Sequence, residues 1–192
     1  MSDVIVYYIN LNKDTERRKN ISEELSKNNI NAKRFAAIDG RKRYKNQHAK
    51  GSRACRDSHL AVWNLALKND ITLILEDDIF IKPGLINYIQ KVIKTIEKSQ
   101  WEVIYFGYNT IAGDRYNEEL IKLNSGTVAS GFCYIVNRNT VQNIIGVFKD
   151  SNHIYWDVAL KNDNKIRLFA SKKQLVHHNW SMERIRKIID RI

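Results

Sequence analysis

Val4-Ile5-Val6-Tyr7-Tyr8-Ile9 is apolar or aromatic at every position. As a strand it keeps no face for water, so it must be covered on both sides. Ile71-Thr72-Leu73-Ile74-Leu75 has the same character, and Lys33–Ile38, Trp101–Phe106 and Thr127–Val136 (interrupted at Gly131) also read as strands. Between these runs the apolar residues recur every three or four positions, the spacing of amphipathic helices. One such helix carries Ile21 and Leu25 behind a cap at Asn12 or Asp14, with Glu16 in its first turn. A second carries Leu60, Trp63 and Leu67, and a third carries Ile86, Ile89, Ile93 and Ile96 behind Pro83. A fourth carries Val141, Ile144, Ile145 and Phe148, opened by an Asn139/Gln142 capping box. Short strands at Ile166–Ala170 and Gln174–His177 precede a last helix, opened by Ser181 and carrying Met182, Ile185, Ile188 and Ile192. Strand–helix alternation of this kind predicts an α/β fold: one mostly parallel, Rossmann-like sheet flanked by helices on both faces. With 192 residues and no linker or repeat, the expectation is a single domain over residues 1–192.

Composition narrows the function classes. Two cysteines, Cys55 and Cys133, can build neither a disulfide framework nor a zinc motif by spacing. No run approaches the ~20 apolar residues of a membrane-spanning helix, and Val4–Leu11 is too short for a secretory signal. The expected location is therefore cytoplasmic, or peripheral on the cytoplasmic face of a membrane. Thirty-two basic against 21 acidic side chains leave a net charge of +11, which suits an anionic partner. Arg41–Gly51 is rich in Lys and Arg and reads as an exposed loop, while Gly107–Ser125 reads as a polar lid or acceptor loop.

Against that positive background, Leu73-Ile74-Leu75 runs straight into Glu76-Asp77-Asp78. Three adjacent carboxylates repel one another unless water, cations or a metal face them. Open α/β sheets bind ligands at the carboxyl ends of their strands, which is where these acids stand. Hard cations such as Mg²⁺ and Mn²⁺ use carboxylates of this kind to reach substrate phosphates. An acidic turn solvated or paired with Lys82 is the plainer alternative. The junction Ile9-Asn10-Leu11-Asn12 leads into a helix bearing Arg17 and Arg18, and its free N–H groups and guanidiniums offer a place for anionic groups. Asp39-Gly40 closes a second strand, so Asp39 is a candidate acceptor from a base or ribose.

Taken in order, these blocks resemble glycosyltransferase family 25. The resemblance rests on Tyr8–Arg18, Arg34–Gly40, Ala54-Cys55-Arg56-Asp57-Ser58-His59-Leu60-Ala61-Val62-Trp63, Leu73–Asp78, Trp101–Gly107, Gly126–Asn137 and Tyr155–Leu160. It implies a GT-A fold and a nucleotide-sugar donor, usually UDP-galactose, with Mn²⁺ or Mg²⁺ held at the acidic motif. Transfer in the family is inverting. By the resemblance Asp78 binds the metal, Glu76 and Asp77 lie by the nucleotide-sugar, and Asn10, Leu11, Asn12, Arg17, Asp39 and Gly40 surround the nucleotide. Asp157, at the start of a late helix, is the candidate general base. Many GT-A enzymes complete the metal shell with a late His, and His178 of the His177-His178 pair is the candidate here. Ser58 and His59 are expected mainly to fix their helix against the sheet. The acceptor implied is a saccharide, a lipid-linked saccharide or hydroxylysine.

Two other classes compete. A basic nucleic-acid-binding module would account for the charge, but no such motif is present and the acidic cluster opposes it, so no nucleic-acid partner is expected. A degenerate GT-A protein that binds or hydrolyses the donor without transfer would share every site residue named above. The excess charge would equally suit an anionic membrane surface.

Overall fold

The computed structural model describes residues 3–45, 47–124 and 130–179. The chain opens with β1 (Val4–Asn10), α1 (Thr15–Lys27) and β2 (Ala32–Ala36), followed by a short α2 (Gly40–Arg43) and a long α3 (Lys50–Ala66). Next come β3 (Ile71–Glu76), β4 (Ile79–Ile81), α4 (Leu85–Val92) and β5 (Val103–Gly107). A hairpin of β6 (Gly113–Arg115) and β7 (Leu120–Leu123) leads to β8 (Cys133–Asn137), α5 (Val141–Asp150), α6 (Trp156–Lys161), β9 (Leu168–Ser171) and β10 (Val176–His178).

Eight strands form one sheet in the order β2-β1-β3-β8-β5-β9-β7-β6, and β4 and β10 form a small sheet of their own. The large sheet is mostly parallel in direction. β1 runs parallel to β2 and β3, and β5 runs parallel to β9, while β8 and β7 are antiparallel to their neighbours. Side chains leave a strand alternately on its two faces, and β3 shows the consequence. Leu73 and Leu75 join the core beneath α1 and α4, whereas Ile74 joins the core beneath α3, α5 and α6. A strand apolar at consecutive positions thus fits because both faces are roofed by helices.

Several local expectations need correction. Gly107–Ser125 is not a free loop: its middle is the β6–β7 hairpin, and β7 pairs with β9 to extend the sheet, with Leu120 fully buried. Arg41–Gly51 contains most of α2 and the start of α3. Of the predicted stripe, Ile89 and Ile96 are buried and Ile86 and Ile93 are partly buried against the same core; the fully inward face of α4 also takes Leu85, Val92 and Tyr88, which meets Phe106 edge-on at 6.0 Å. The α5 cap is Thr140 and not Asn139; the Thr140 hydroxyl donates to the Trp101 carbonyl at 2.7 Å, while Asn137 takes the Asn139 amide. Asp14 precedes α1 but makes no side-chain cap. The helix expected from Ser181 and the onset of the Thr127–Val136 strand lie outside the described residues.

Candidate active site

The carboxyl ends of β1, β2 and β3 meet α3 around a cavity of about 500 Å³. Leu11, Lys13, Arg17, Asp39, Gly40, Arg41, Lys50, Cys55, His59, Glu76, Asp77 and Asp78 all border it. A second cavity of about 390 Å³ shares Gly51, Cys55 and Glu76 with the first and continues to Phe132, Tyr155, Asp157 and His178. The acid motif therefore stands at the junction of two hollows.

The three acids are handled differently. Asp77 is only 8% exposed; its oxygens accept from Asn10 Nδ2 at 2.7 Å and from Arg17 Nη1 at 3.2 Å. Burial raises its pKa, and those two partners only partly offset the effect. For Asp78, burial pushes the same way, but the His178 hydrogen bond and the charges of His178 and Arg17 outweigh it and hold the carboxyl below its usual range. Asp78 Oδ1 faces His178 Nε2 at 3.2 Å, and Arg17 Nη1 lies 2.9 Å from Asp78 Oδ2. Arg17 is raised in turn: burial works against its charge, but Asp78 and Asp77 prevail. Glu76 ends β3 in the wall common to both cavities.

The meeting of Asp78 with His178 comes from the small sheet. β10 runs antiparallel to β4 with His178 opposite Ile79, the residue after Asp78, and the Asn179 amide donates to the Asp78 carbonyl at 2.8 Å. Residues a hundred positions apart are thereby placed side by side. Glu76, Asp78 and His178 each offer a donor atom, all within 4.8 Å of one another. Two carboxylate oxygens and an imidazole nitrogen fit a divalent ion, Mn²⁺ better than the all-oxygen Mg²⁺. Asp77 is outside that set.

The nucleotide-side candidates divide. Leu11, Arg17, Asp39 and Gly40 border the first cavity. Asp39 accepts from the Arg41 amide at 2.9 Å, and this bond, helped by Lys13, lowers its pKa against a smaller opposing burial effect. Gly40 allows close approach, since a methyl group there would overlap the Lys50 carbonyl at the start of α3. Asn10 and Asn12 do not border the cavity. Asn10 is 1% exposed and spends its amide on Asp77 and the Asp14 carbonyl; Asn12 is exposed and accepts from Arg34 Nη2 at 2.6 Å. Asn10 supports the acid motif from beneath, a role that a polar residue ending an apolar strand does not announce.

Asp157 opens α6 on the second cavity. Its Oδ1 accepts from the Val158 amide at 2.9 Å and its Oδ2 from the Ser130 amide at 3.2 Å, so the carboxylate is held from two sides. Gly131, next to Ser130, passes so close to the Tyr105 ring that a methyl group would overlap it.

His59 has a larger place here than a packing role. It is fully buried, stacked on Trp156 at 4.4 Å between centroids, with Nδ1 2.6 Å from the Tyr134 hydroxyl and Nε2 3.6 Å from Glu76 Oε1. Ser58 does tie α3 to the end of β2, accepting from the Ile38 amide at 2.9 Å. Sequence reasoning also passed over Lys13 and Lys50. Their signal was the cluster of basic residues flanking two strand ends, read as solvated surface.

A family model described as glycosyltransferase family 25 (LPS biosynthesis protein) matches residues 4–125. The chain belongs to glycosyltransferase family 25. It is 24% identical over 152 residues to a glycosyltransferase 25 family member of Aedes aegypti, covering 67% of this chain and 25% of that protein. It is 25% identical over 126 residues to procollagen galactosyltransferase 2 of Mus musculus, covering 53% and 20%. The family 25 chain thus spans a quarter or less of these relatives' lengths. Its fold is similar to that of a glycosyltransferase involved in the glycosylation of the major capsid of PBCV-1, with a TM-score of 0.53 and 12% identity over 91% of this chain and 92% of that one. That likeness identifies the architecture as GT-A-like. No helix among the described residues is long and apolar enough to cross a membrane.

Proposed function

We propose that this family 25 chain is a metal-dependent, inverting hexosyltransferase that moves galactose, or next glucose, from a UDP-sugar to an acceptor hydroxyl on a saccharide, a lipid-linked saccharide or hydroxylysine. The observation that carries the reading is the pair of joined cavities with Glu76 in their common wall. Lys13, Arg17, Arg41 and Lys50 give the first cavity the cationic lining a diphosphate needs. Asp39, on the same wall, serves in this reading as an acceptor for a ribose or base donor. In the second cavity Asp157 is positioned to take the proton of the acceptor hydroxyl as that oxygen bonds to the sugar's anomeric carbon. On the opposite face of that carbon the bond to the β-phosphate oxygen breaks and UDP departs with the electron pair. Arg17 stabilises the charge developing on the diphosphate.

Glu76, Asp78 and His178 are the residues that would hold Mn²⁺, or Mg²⁺ with poorer fit, and the ion would supply Lewis-acid stabilisation of the leaving diphosphate. Asn10 keeps Asp77 and Arg17 in place beneath them. Exposed Arg41, Lys42, Arg43 and Lys45 beside the first cavity support peripheral attachment to an anionic membrane, where a lipid-linked acceptor would reside.

Titration with UDP, with and without Mn²⁺, tests this on the wild type and Asp78→Asn. The expected result is that Mn²⁺ strengthens UDP binding in the wild type and has little effect in the variant. Equal strengthening in both would remove Asp78 from the metal set. Release of UDP from a panel of UDP-sugars then identifies the donor.

A further inference from the structure

Beside the carboxylate–imidazole cluster lies a second set of donors with different chemistry. Cys55 and His59 are four residues apart on α3, so both project from one face of the helix. That face looks onto Glu76 at the end of β3, and one donor atom from each of Cys55, His59 and Glu76 falls within 4.8 Å of the other two. The Cys55 side chain is exposed in the cleft, bordering both cavities. His59 is the opposite: 0% exposed, with an enclosed Nε2 that meets no hydrogen-bond partner among the described residues. Its ring is locked by the Trp156 stack and the Tyr134 hydroxyl. The hydroxyl accepts from Trp63 Nε1 at 3.0 Å, and its own proton has Nδ1 as acceptor; Nε2–H then faces Glu76 Oε1 at 3.6 Å, and a divalent cation binding there takes that proton's place.

We propose that Cys55, His59 and Glu76 form a second divalent-cation site, selective for a thiolate- and imidazole-binding ion such as Zn²⁺. A thiolate, an imidazole and a carboxylate are the ligand types zinc takes, and three protein ligands leave its fourth position open to water. Two such ligands at about 2.0–2.1 Å from a tetrahedral ion stand about 3.4 Å apart, close to the 3.6 Å between His59 Nε2 and Glu76 Oε1. A thiol binds such an ion as thiolate, so binding releases the Cys55 proton to solvent. Because Glu76 belongs to both donor sets, zinc here draws it away from Asp78 and His178. Zinc is therefore expected to antagonise the neighbouring ion.

The test is Co²⁺ titration of the reduced, metal-free full chain, followed by absorption. Wild type is expected to show a thiolate-to-cobalt charge-transfer band that added Zn²⁺ abolishes. Cys133 is fully buried, so Cys55 is the thiol the band reports. The band should vanish in Cys55→Ser, and apparent Co²⁺ affinity should fall by about tenfold or more. It should persist in Asp78→Asn, which separates this site from the one used for UDP. A wild type without the band, a band that survives Cys55→Ser, or one lost in Asp78→Asn would each overturn the proposal. Alkylation of Cys55 in the unmutated protein gives an independent reading: Zn²⁺ should slow it and Mg²⁺ should not, and an unchanged rate with Zn²⁺ refutes the site.

Discussion

Replacing Asp157 by Asn separates chemistry from binding. The carboxylate accepts from two amides, Val158 at 2.9 Å and Ser130 at 3.2 Å. An Asn has one oxygen for two donors, so its amino group must face one of those N–H groups whichever way it turns. The variant therefore loses one hydrogen bond, worth about 1 kcal/mol, at either the Val158 amide or the Ser130–Gly131 bend. The loss of a proton acceptor is larger: a positioned general base contributes roughly 10²–10⁴-fold, which is about 2.7–5.5 kcal/mol of barrier. Asp157 borders the second cavity and not the first, so UDP binding should stay within about twofold while transfer falls by at least about a hundredfold. Transfer is followed by acceptor-dependent UDP release under donor saturation, and UDP affinity by calorimetry. Formate added to Asp157→Ala should restore part of the lost rate by standing in for the missing carboxylate. Transfer within about tenfold of wild type, or a loss of UDP affinity that matches the loss of rate, would refute the assignment.

Arg17 competes with any ion at the acid motif, because Nη1 reaches both Asp77 and Asp78 from a side chain 53% exposed. Exposed ion pairs are worth about 0.2–1 kcal/mol, so Arg17→Ala should tighten Mn²⁺ binding in the absence of nucleotide by up to about fivefold. The same variant should weaken metal-free UDP binding; weaker Mn²⁺ binding by spin resonance would contradict the competition. Away from the site, fully buried Glu102 accepts from Arg167 Nη2 at 2.6 Å, Arg167 Nε at 3.1 Å and Asn143 at 3.0 Å. Arg167→Ala strands that buried carboxylate and should cost about 3 kcal/mol in denaturant unfolding, more than Glu102→Gln, whose neutral amide needs no counter-charge. The reverse order would show that the pair is not what holds β9 to β5.

The parts of the fold visible in the sequence were those where burial is two-sided. β1 and β3 are apolar at consecutive positions, and they lie next to each other inside the sheet, β1 flanked by β2 and β3 flanked by β8. β6 and β7 escaped notice because an edge hairpin keeps polar residues: Gly113–Arg115 is exposed throughout, and β7 buries only Leu120 and Leu123. The α4 stripe was incomplete for another reason. The stripe Ile86, Ile89, Ile93 and Ile96 does meet the core, but an isoleucine-only reading passed over Leu85 and Tyr88, which are buried more deeply than Ile86 and Ile93. At the site, Glu76 and Asp78 stood out because charges ending a buried strand have no packing explanation. His178 came from family resemblance, and the β4–β10 ladder is the contact that brings it to Asp78. His59 and Cys55 were legible only as a helical pair, since what gives them meaning is β3 lying opposite.

Three consecutive acids beside a cleft in a chain of net charge +11 look contradictory until their partners are separated. Asp77 is 8% exposed and absorbed by Asn10 and Arg17, so it is the acid turned least toward the cleft. Glu76 and Asp78 face His178 at the junction, while Lys13, Arg41 and Lys50 line the first cavity. The cleft is thus divided, with Glu76 and Asp78 at the junction and the lysines and Arg41 on the wall of the first cavity. A bare diphosphate entering it gains from the lysines and is repelled by Glu76 and Asp78. A bare divalent cation meets the reverse, together with competition from Arg17. A nucleoside diphosphate carrying a divalent cation presents both charges in the matching order, and each of its halves removes the repulsion the other would feel. On that account UDP and Mn²⁺ should bind with positive cooperativity, each strengthening the other by the same factor.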